Sequence, residues 1–324
     1  MRDGLPPSVR LEECGCAVGC PPGEVPVLEG RDRLHGLPGR FTVVRCRTCG
    51  LMRTNPRPTQ DTIGFYYPDD YGPHRAAAAR SATPSPPRAR PLWRRAARFL
   101  WPTVDDRALW LPDLRPGRLL EVGCASGSFL ARMAARGWAA EGIELSPRAA
   151  AEARALGHRV HAGPIETAPD YDEPFDLIVG FMVLEHLHDP VHALRRLRGW
   201  IKPGGSLVLS VPNCGSLEFR VFGDAWYALQ VPCHLSHFTP RTLRLVLERG
   251  GFASVQLAHQ RVLGNLAASL GYLLEDRGHR NRASRWLVEY PVRAASAERL
   301  LAPFAWLLSV LGQTGRMTVW ARPA

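Results

Sequence analysis

Leu119-Leu120-Glu121-Val122-Gly123-Cys124-Ala125-Ser126-Gly127-Ser128-Phe129 is a hydrophobic strand that runs into a glycine-rich turn and then into a helix. Glycines at 123 and 127 let the backbone come close to a ligand, and the N–H groups opening the helix can meet a carboxylate or phosphate. The pattern then repeats. Strands are predicted at 139–143, 175–179 and 206–211, alternating with helices at 128–136, 147–156 and 190–200 over short connections. Such alternation predicts an α/β chain: a mostly parallel, doubly wound sheet with helices on both faces.

A chain of 324 residues is long enough for more than one core. Its 45% hydrophobic and 22% charged residues are ordinary for a globular protein and exclude wholesale disorder. Residues 1–10 hold a proline pair and no apolar run, so no signal peptide of the usual kind is expected there. No stretch reaches the roughly 20 apolar residues that span a bilayer; the apolar run at 300–311 reads as a buried helix. A cytoplasmic protein is therefore expected. The net charge of +11 raises the question of a nucleic-acid partner. The basic residues are scattered, however, and all but Lys202 are arginine, with no basic run interleaved with aromatics. No nucleic-acid partner is expected on that ground.

Residues 76–91 are rich in alanine, arginine, serine and proline and read as a linker. They divide a module at 1–75, which holds five of the eight cysteines, from a main domain at 92–324. From 92 to 111 the pattern places Trp93, Ala97, Leu100 and Trp101 at helical spacing before Pro102 interrupts it, and reads as a lid or packing helix.

The glycine turn alone does not choose its ligand. A nicotinamide cofactor is one option, but Ala125 takes the middle place of the G-x-G-x-x-G pattern. Glu144 ends the next strand, seventeen positions after Gly127. A carboxylate there can accept both ribose hydroxyls of an adenosine. It is not needed as a helix cap, because Ser146 before Pro147 already supplies one.

With these features in place, Phe175-Asp176-Leu177-Ile178-Val179-Gly180-Phe181-Met182-Val183-Leu184-Glu185-His186-Leu187-His188-Asp189-Pro190 resembles the fourth-strand region of class I S-adenosylmethionine-dependent methyltransferases. The resemblance implies a Rossmann-like, doubly wound sheet of seven strands and S-adenosyl-L-methionine as cofactor. It places cofactor contacts at Glu121, Gly123, Cys124, Ala125 and Gly127, with Glu144 and Leu145 at the ribose. Ile165 and Glu166, after a short third strand at 159–162, fall near the adenine, and Phe181 and Met182 beside the cofactor. Packing is the other reading for Phe181 and Met182. Glu185 and His186 form either an acid–base pair or part of the pocket lining. Lys202-Pro203-Gly204-Gly205 resembles the family's turn into its fifth strand. The loop Trp226–Pro240 faces the acceptor in related enzymes; its His234 is the leading general base and His237 the second. Histidines satisfied by backbone partners are the alternative.

Cys46-Arg47-Thr48-Cys49-Gly50 is a C-x-x-C knuckle, and Cys14, Cys16 and Cys20 lie upstream. In a reducing compartment such cysteines favour metal over disulfides, so a structural Zn2+ on Cys16, Cys20, Cys46 and Cys49 is expected. The upstream C-x-C-x-x-x-C is irregular, and Cys14 could replace Cys16. The module is similar to the zinc-ribbon leader of bacterial methyltransferases that act on sugars, glycans or secondary metabolites. A small-molecule or glycan acceptor follows from that resemblance. Tyr66, Tyr67 and Tyr71 either reach the acceptor or pack the module. Strands at 254–258 and 316–321 can form a closing hairpin, and an insertion at about 260–312 holds apolar helices at 263–274 and 297–311. These cover the acceptor mouth or touch a membrane peripherally. Two rivals stand beside methyl transfer: a catalytically silent binding module of the same fold, and a nicotinamide-dependent oxidoreductase. The sequence does not give the oligomeric state.

Overall fold

The computed structural model describes residues 4–68, 111, 114–293 and 302–324. The linker expected at 76–91, most of the helix expected at 92–111, Tyr71, and the start of the helix expected at 297–311 lie outside them. The chain opens with β1 (Leu11–Glu12), β2 (Glu24–Gly30), β3 (Phe41–Cys46), β4 (Met52–Thr54) and β5 (Arg57–Pro58). Next come β6 (Arg118–Val122), α1 (Ser128–Ala134), β7 (Ala139–Glu144), α2 (Pro147–Ala155), β8 (Arg159–Ala162), β9 (Phe175–Phe181), α3 (Pro190–Trp200) and β10 (Ile201–Pro212). After α4 (Leu217–Phe222) follow β11 (Ser236–His237), α5 (Pro240–Arg249), β12 (Phe252–His259), α6 (Gly264–Asp276), α7 (Arg282–Arg293), α8 (Ala302–Val310) and β13 (Arg316–Pro323).

Seven strands make one sheet in the order β12-β13-β10-β9-β6-β7-β8, the doubly wound sheet that the strand–helix alternation implies. Side chains alternate between its faces. Leu120, Val122, Ile178, Leu207 and Leu209 join one buried cluster, while their neighbours Leu119, Leu177, Val179 and Val208 join another with Phe129, Leu130 and Met133 of α1. Both faces are apolar because helices cover both. Chain reversals are set by local chemistry. Ser146 caps α2 through Ala149 N, Asp189 caps α3 through His192 N, and Thr239 and Thr242 cap α5 reciprocally, each with proline at the first helical position. The run 202–205 lies inside β10 as an irregularity between Ile201 and Ser206 rather than as a turn before it. Strands β12 and β13 pair antiparallel as the expected hairpin. Among the described residues no helix is long and apolar enough to cross a membrane.

The leader is joined to the main sheet's loops. Its strands form a second sheet in the order β11-β4-β3-β2, and β11 comes from the His234–His237 loop, pairing Ser236 with Arg53 and His237 with Met52. Leader residues Phe41, Val43, Met52 and Tyr66 share one buried cluster with Trp226, Leu229 and Val231. Phe238, directly after β11, is fully buried against the main core. Phe238→Ala should cost about 3–5 kcal/mol in denaturant unfolding, because its cavity opens where leader and main sheet meet.

Candidate active site

The sheet reverses its strand order between β6 and β9, and an open α/β sheet offers a crevice at the carboxyl ends of such strands. At the end of β6 the turn takes left-handed conformations, with φ of 71° at Gly123, 48° at Ala125 and 80° at Gly127. Gly123 N and Cys124 N both donate to Ile143 O, at 2.8 and 3.1 Å, folding the turn towards the end of β7. A Cβ at Gly123 would meet Val183 Cγ2 at 2.5 Å, so only glycine allows this approach to the β9 loop.

Glu144 meets the turn from the end of β7. Its Oε2 accepts from Ala125 N at 2.8 Å and its Oε1 from Ser146 N at 2.8 Å, and the side chain is buried. Each oxygen keeps a further lone pair for a hydroxyl donor. Beside it Ser126 Oγ is buried without a hydrogen-bond partner among the described residues. Together these present polar atoms and close-lying backbone at one crevice, which fits an adenosine with an amino-acid end. The other expected contacts divide. Gly163 N binds Glu144 O at 2.9 Å and carries the chain from β8 to the buried Ile165 and to Glu166. Phe181 stacks edge to face on Phe129 at 5.3 Å, while Met182, at φ 58°, binds Ser210 O through its N–H. Leu145 is 60% exposed. Cys124 turns its sulfur into the core beneath Gly142, where an added Cβ would stand 2.5 Å from it, so Cys124 offers the crevice only its backbone. Burial pushes that thiol up from its ordinary range.

The turn predicts opposite effects at two positions. Ala125→Gly should raise unfolding stability by up to about 1 kcal/mol, since a Cβ in the left-handed region is strained. Gly127→Ala should cost about 2 kcal/mol or more, because its Cβ would meet Ala153 Cβ at 2.9 Å at a left-handed φ.

Beyond β9 a second group gathers. His186 and His234 pack edge to face, 4.6 Å between ring centroids. His234 Nδ1 lies 2.9 Å from Ala228 O, and its own carbonyl accepts from Thr54 Oγ1 at 2.8 Å. His186 Nδ1 lies 2.8 Å from the Tyr67 hydroxyl and 3.0 Å from Cys233 O. His237 Nε2 meets Thr54 Oγ1 at 3.2 Å, so a leader side chain ties both histidines of the loop. Leu235 N also binds Glu185 O at 2.7 Å, clamping the loop to the turn after β9. Of the three candidate tyrosines, Tyr67 is the one shown at this cluster; Tyr66 is buried and donates to Pro38 O. Thr54 carried no signal in the sequence, because its role arises only when β4 pairs with β11.

Burial sets the charge states here. It pushes the Glu185 carboxyl up to about 8 and the His186 and His237 imidazoles down to about 4. Burial, then the neighbouring His186 and His237, hold His234 well below its usual range. Free imidazoles in an unfolded chain take protons near pH ~6.5. The neutral histidines therefore contribute stability that is whole above that pH and lost as pH falls towards about 4. Melting curves should show Tm dropping through that window, with a shallower drop in His237→Asn.

In the leader, Cys16, Cys20, Cys46 and Cys49 bring their sulfurs within 4.8 Å of one another, with Cys16 and Cys49 at 3.5 Å. Turns at Gly19 and Gly50, at φ 82° each, carry the two pairs inward. Cys14 lies apart, near Thr54 O and Asn55 Oδ1. Burial raises the Cys46 thiol, but the N–H groups of Cys49 and Thr48 outweigh it and bring it down to about 6.

A family model described as a methyltransferase domain matches residues 92–257. The chain is 31% identical over 150 residues to malonyl-acyl-carrier-protein O-methyltransferase of Serratia marcescens, covering 45% of this chain and 58% of that protein. It is 30% identical over 158 residues to tRNA U34 carboxymethyltransferase of Desulfotalea psychrophila, covering 45% of this chain and 48% of that protein. The chain thus spans about half the length of the curated relatives it matches. Among solved structures, the complex of the Haloferax volcanii Trm112 methyltransferase activator with a methyltransferase aligns at a TM-score of 0.48 and 16% identity, over 80% of this chain and 97% of that one.

Proposed function

Because the chain belongs to the methyltransferase-domain family, we propose that it moves a methyl group from S-adenosyl-L-methionine to an oxygen or carbon of a small acceptor, such as a sugar, glycan or secondary metabolite. The observation that carries this reading is Glu144 reaching across the crevice to Ala125 N. When bound, the cofactor supplies an electrophilic methyl group on a sulfonium. Glu144 would hold the ribose hydroxyls, the 123–127 backbone and Ser126 would receive the amino-acid end, and Ile165 and Glu166 would flank the adenine. Phe181, Met182 and Leu145 complete the reading of that pocket.

The acceptor end is assigned to Tyr67, Glu185, His186 and His234. With Nδ1–H held by Ala228 O, His234 presents the lone pair of Nε2. For a hydroxyl acceptor, the sulfonium would supply the methyl group and its own leaving group, and His234 would take the hydroxyl proton on Nε2. His237, tied to Thr54, supports the loop and stands second as a base. The scattered arginines favour a small acceptor over nucleic acid.

The four-cysteine cluster suits a structural Zn2+. Zinc–sulfur bonds of about 2.3 Å place tetrahedral sulfurs roughly 3.8 Å apart, close to the spacing found. The division into a leader at 1–75, a linker at 76–91 and a main domain at 92–324 remains part of this reading. So does a cytoplasmic site, which goes with reading the clustered cysteines as metal ligands.

Two variants test the two ends separately. Glu144→Ala should weaken cofactor binding about tenfold or more, as lost charge-assisted hydrogen bonds do. His234→Ala should lower kcat by about 10²–10⁴ while leaving cofactor affinity unchanged. Unchanged turnover in His234→Ala would remove it from the mechanism.

A further inference from the structure

Glu185 is fully buried, and among the described residues no other residue hydrogen-bonds to either carboxylate oxygen, with its own backbone N–H and the charge of Arg316 the influences on it besides burial. Leaving such a group unsatisfied is costly, so it is retained where something else completes it. Its surroundings say what that is. Glu185, His186 and His234 each offer one ligand atom, and those atoms all lie within 4.8 Å of one another.

The two imidazoles are oriented by their other nitrogens. His234 Nδ1 faces Ala228 O, and His186 Nδ1 faces Cys233 O. A carbonyl only accepts, so each Nδ1 carries the proton and each Nε2 keeps its lone pair. The Tyr67 hydroxyl, 2.8 Å from His186 Nδ1, also reaches Cys233 O at 3.4 Å, donating to that carbonyl while accepting from the imidazole. Imidazoles anchored to backbone carbonyls through the far nitrogen are the arrangement that holds metal-ligating histidines in place.

We propose that Glu185, His186 and His234 form a second metal site, separate from the four cysteines, for a divalent transition cation. Two imidazole nitrogens and one carboxylate oxygen suit Zn2+ and its first-row neighbours, and three protein ligands leave a coordination position open. The inference rests on the reading that this cluster is the acceptor end. It deepens that reading by naming an acceptor class, one with a hydroxyl able to occupy the open position. A cation on His234 Nε2 would leave that ring no lone pair, so in a metal-loaded site the cation would acidify the hydroxyl, as zinc acidifies a water, and the proton would leave to solvent, with His234 acting as a ligand rather than as the base.

The test is a metal count on the full chain, stripped by chelator, reloaded with Zn2+ and freed of excess. Glu185→Gln should hold one zinc fewer per chain than wild type, because the amide keeps the shape but loses the charge. Equal counts overturn the site. Should Glu185→Gln fail to fold, Mn2+ alone titrated into wild type and followed by EPR reads the same position, since thiolates leave manganese to nitrogen and oxygen ligands. One bound equivalent is expected, and none overturns the proposal. Cofactor binding measured on the same wild-type samples keeps the two readings apart: retained binding with equal zinc counts sinks the metal site alone, and absent binding sinks the methyltransferase reading.

Discussion

A buried carboxylate at the end of one parallel strand binds the amide of a turn at the end of its neighbour, and that span ties the turn to the strand beside it. Glu144 reaches Ala125 N across the β6–β7 gap while its second oxygen takes Ser146 N. The bond restrains a turn whose backbone is left-handed at three positions, one of them not glycine. A charged acceptor offsets that strain and leaves lone pairs facing the crevice. The parallel pairing of β6 with β7 and β9 brings the participants together, and the apolar layers on both faces hold those strands in register.

The second constraint runs from the leader. Strand β4 pairs with β11, and Thr54 binds both the carbonyl of His234 and the ring of His237. The leader is therefore built into the packing of the histidine loop rather than attached as a bead. Cys16 and Cys20 precede β2, Cys46 ends β3 and Cys49 lies before β4, so whatever holds those sulfurs together also holds the strands that position the histidine loop. Tyr67 extends the same connection from the leader to His186.

How legible each part was follows from the range of the forces that make it. The alternating strands and helices could be read because each carries its own apolar pattern and cap, and the Gly123–Gly127 turn with Glu144 because strand and turn are neighbours in the chain. The same holds for the cysteine pairs, each inside one short turn, although only the folded leader separates Cys14 from Cys16. The histidine cluster was less visible. Two-residue β11 has no periodicity, and Thr54 and His237 lie 183 positions apart in the chain. Helix α7 was not singled out, with its arginine-rich stretch and internal Pro291 masking the helical period. Nothing local marks Glu185 as unsatisfied, since that depends on what the tertiary structure fails to bring to it. Cys124 reads as part of the pocket in sequence, yet the pleat sends its side chain under Gly142.

A crystal structure of the full chain with S-adenosylhomocysteine tests the central claim most directly. The account predicts the ribose hydroxyls on the Glu144 carboxylate and the amino-acid end against the backbone of 123–127. A nucleoside bound elsewhere, or a crevice left empty at saturating ligand, would contradict it.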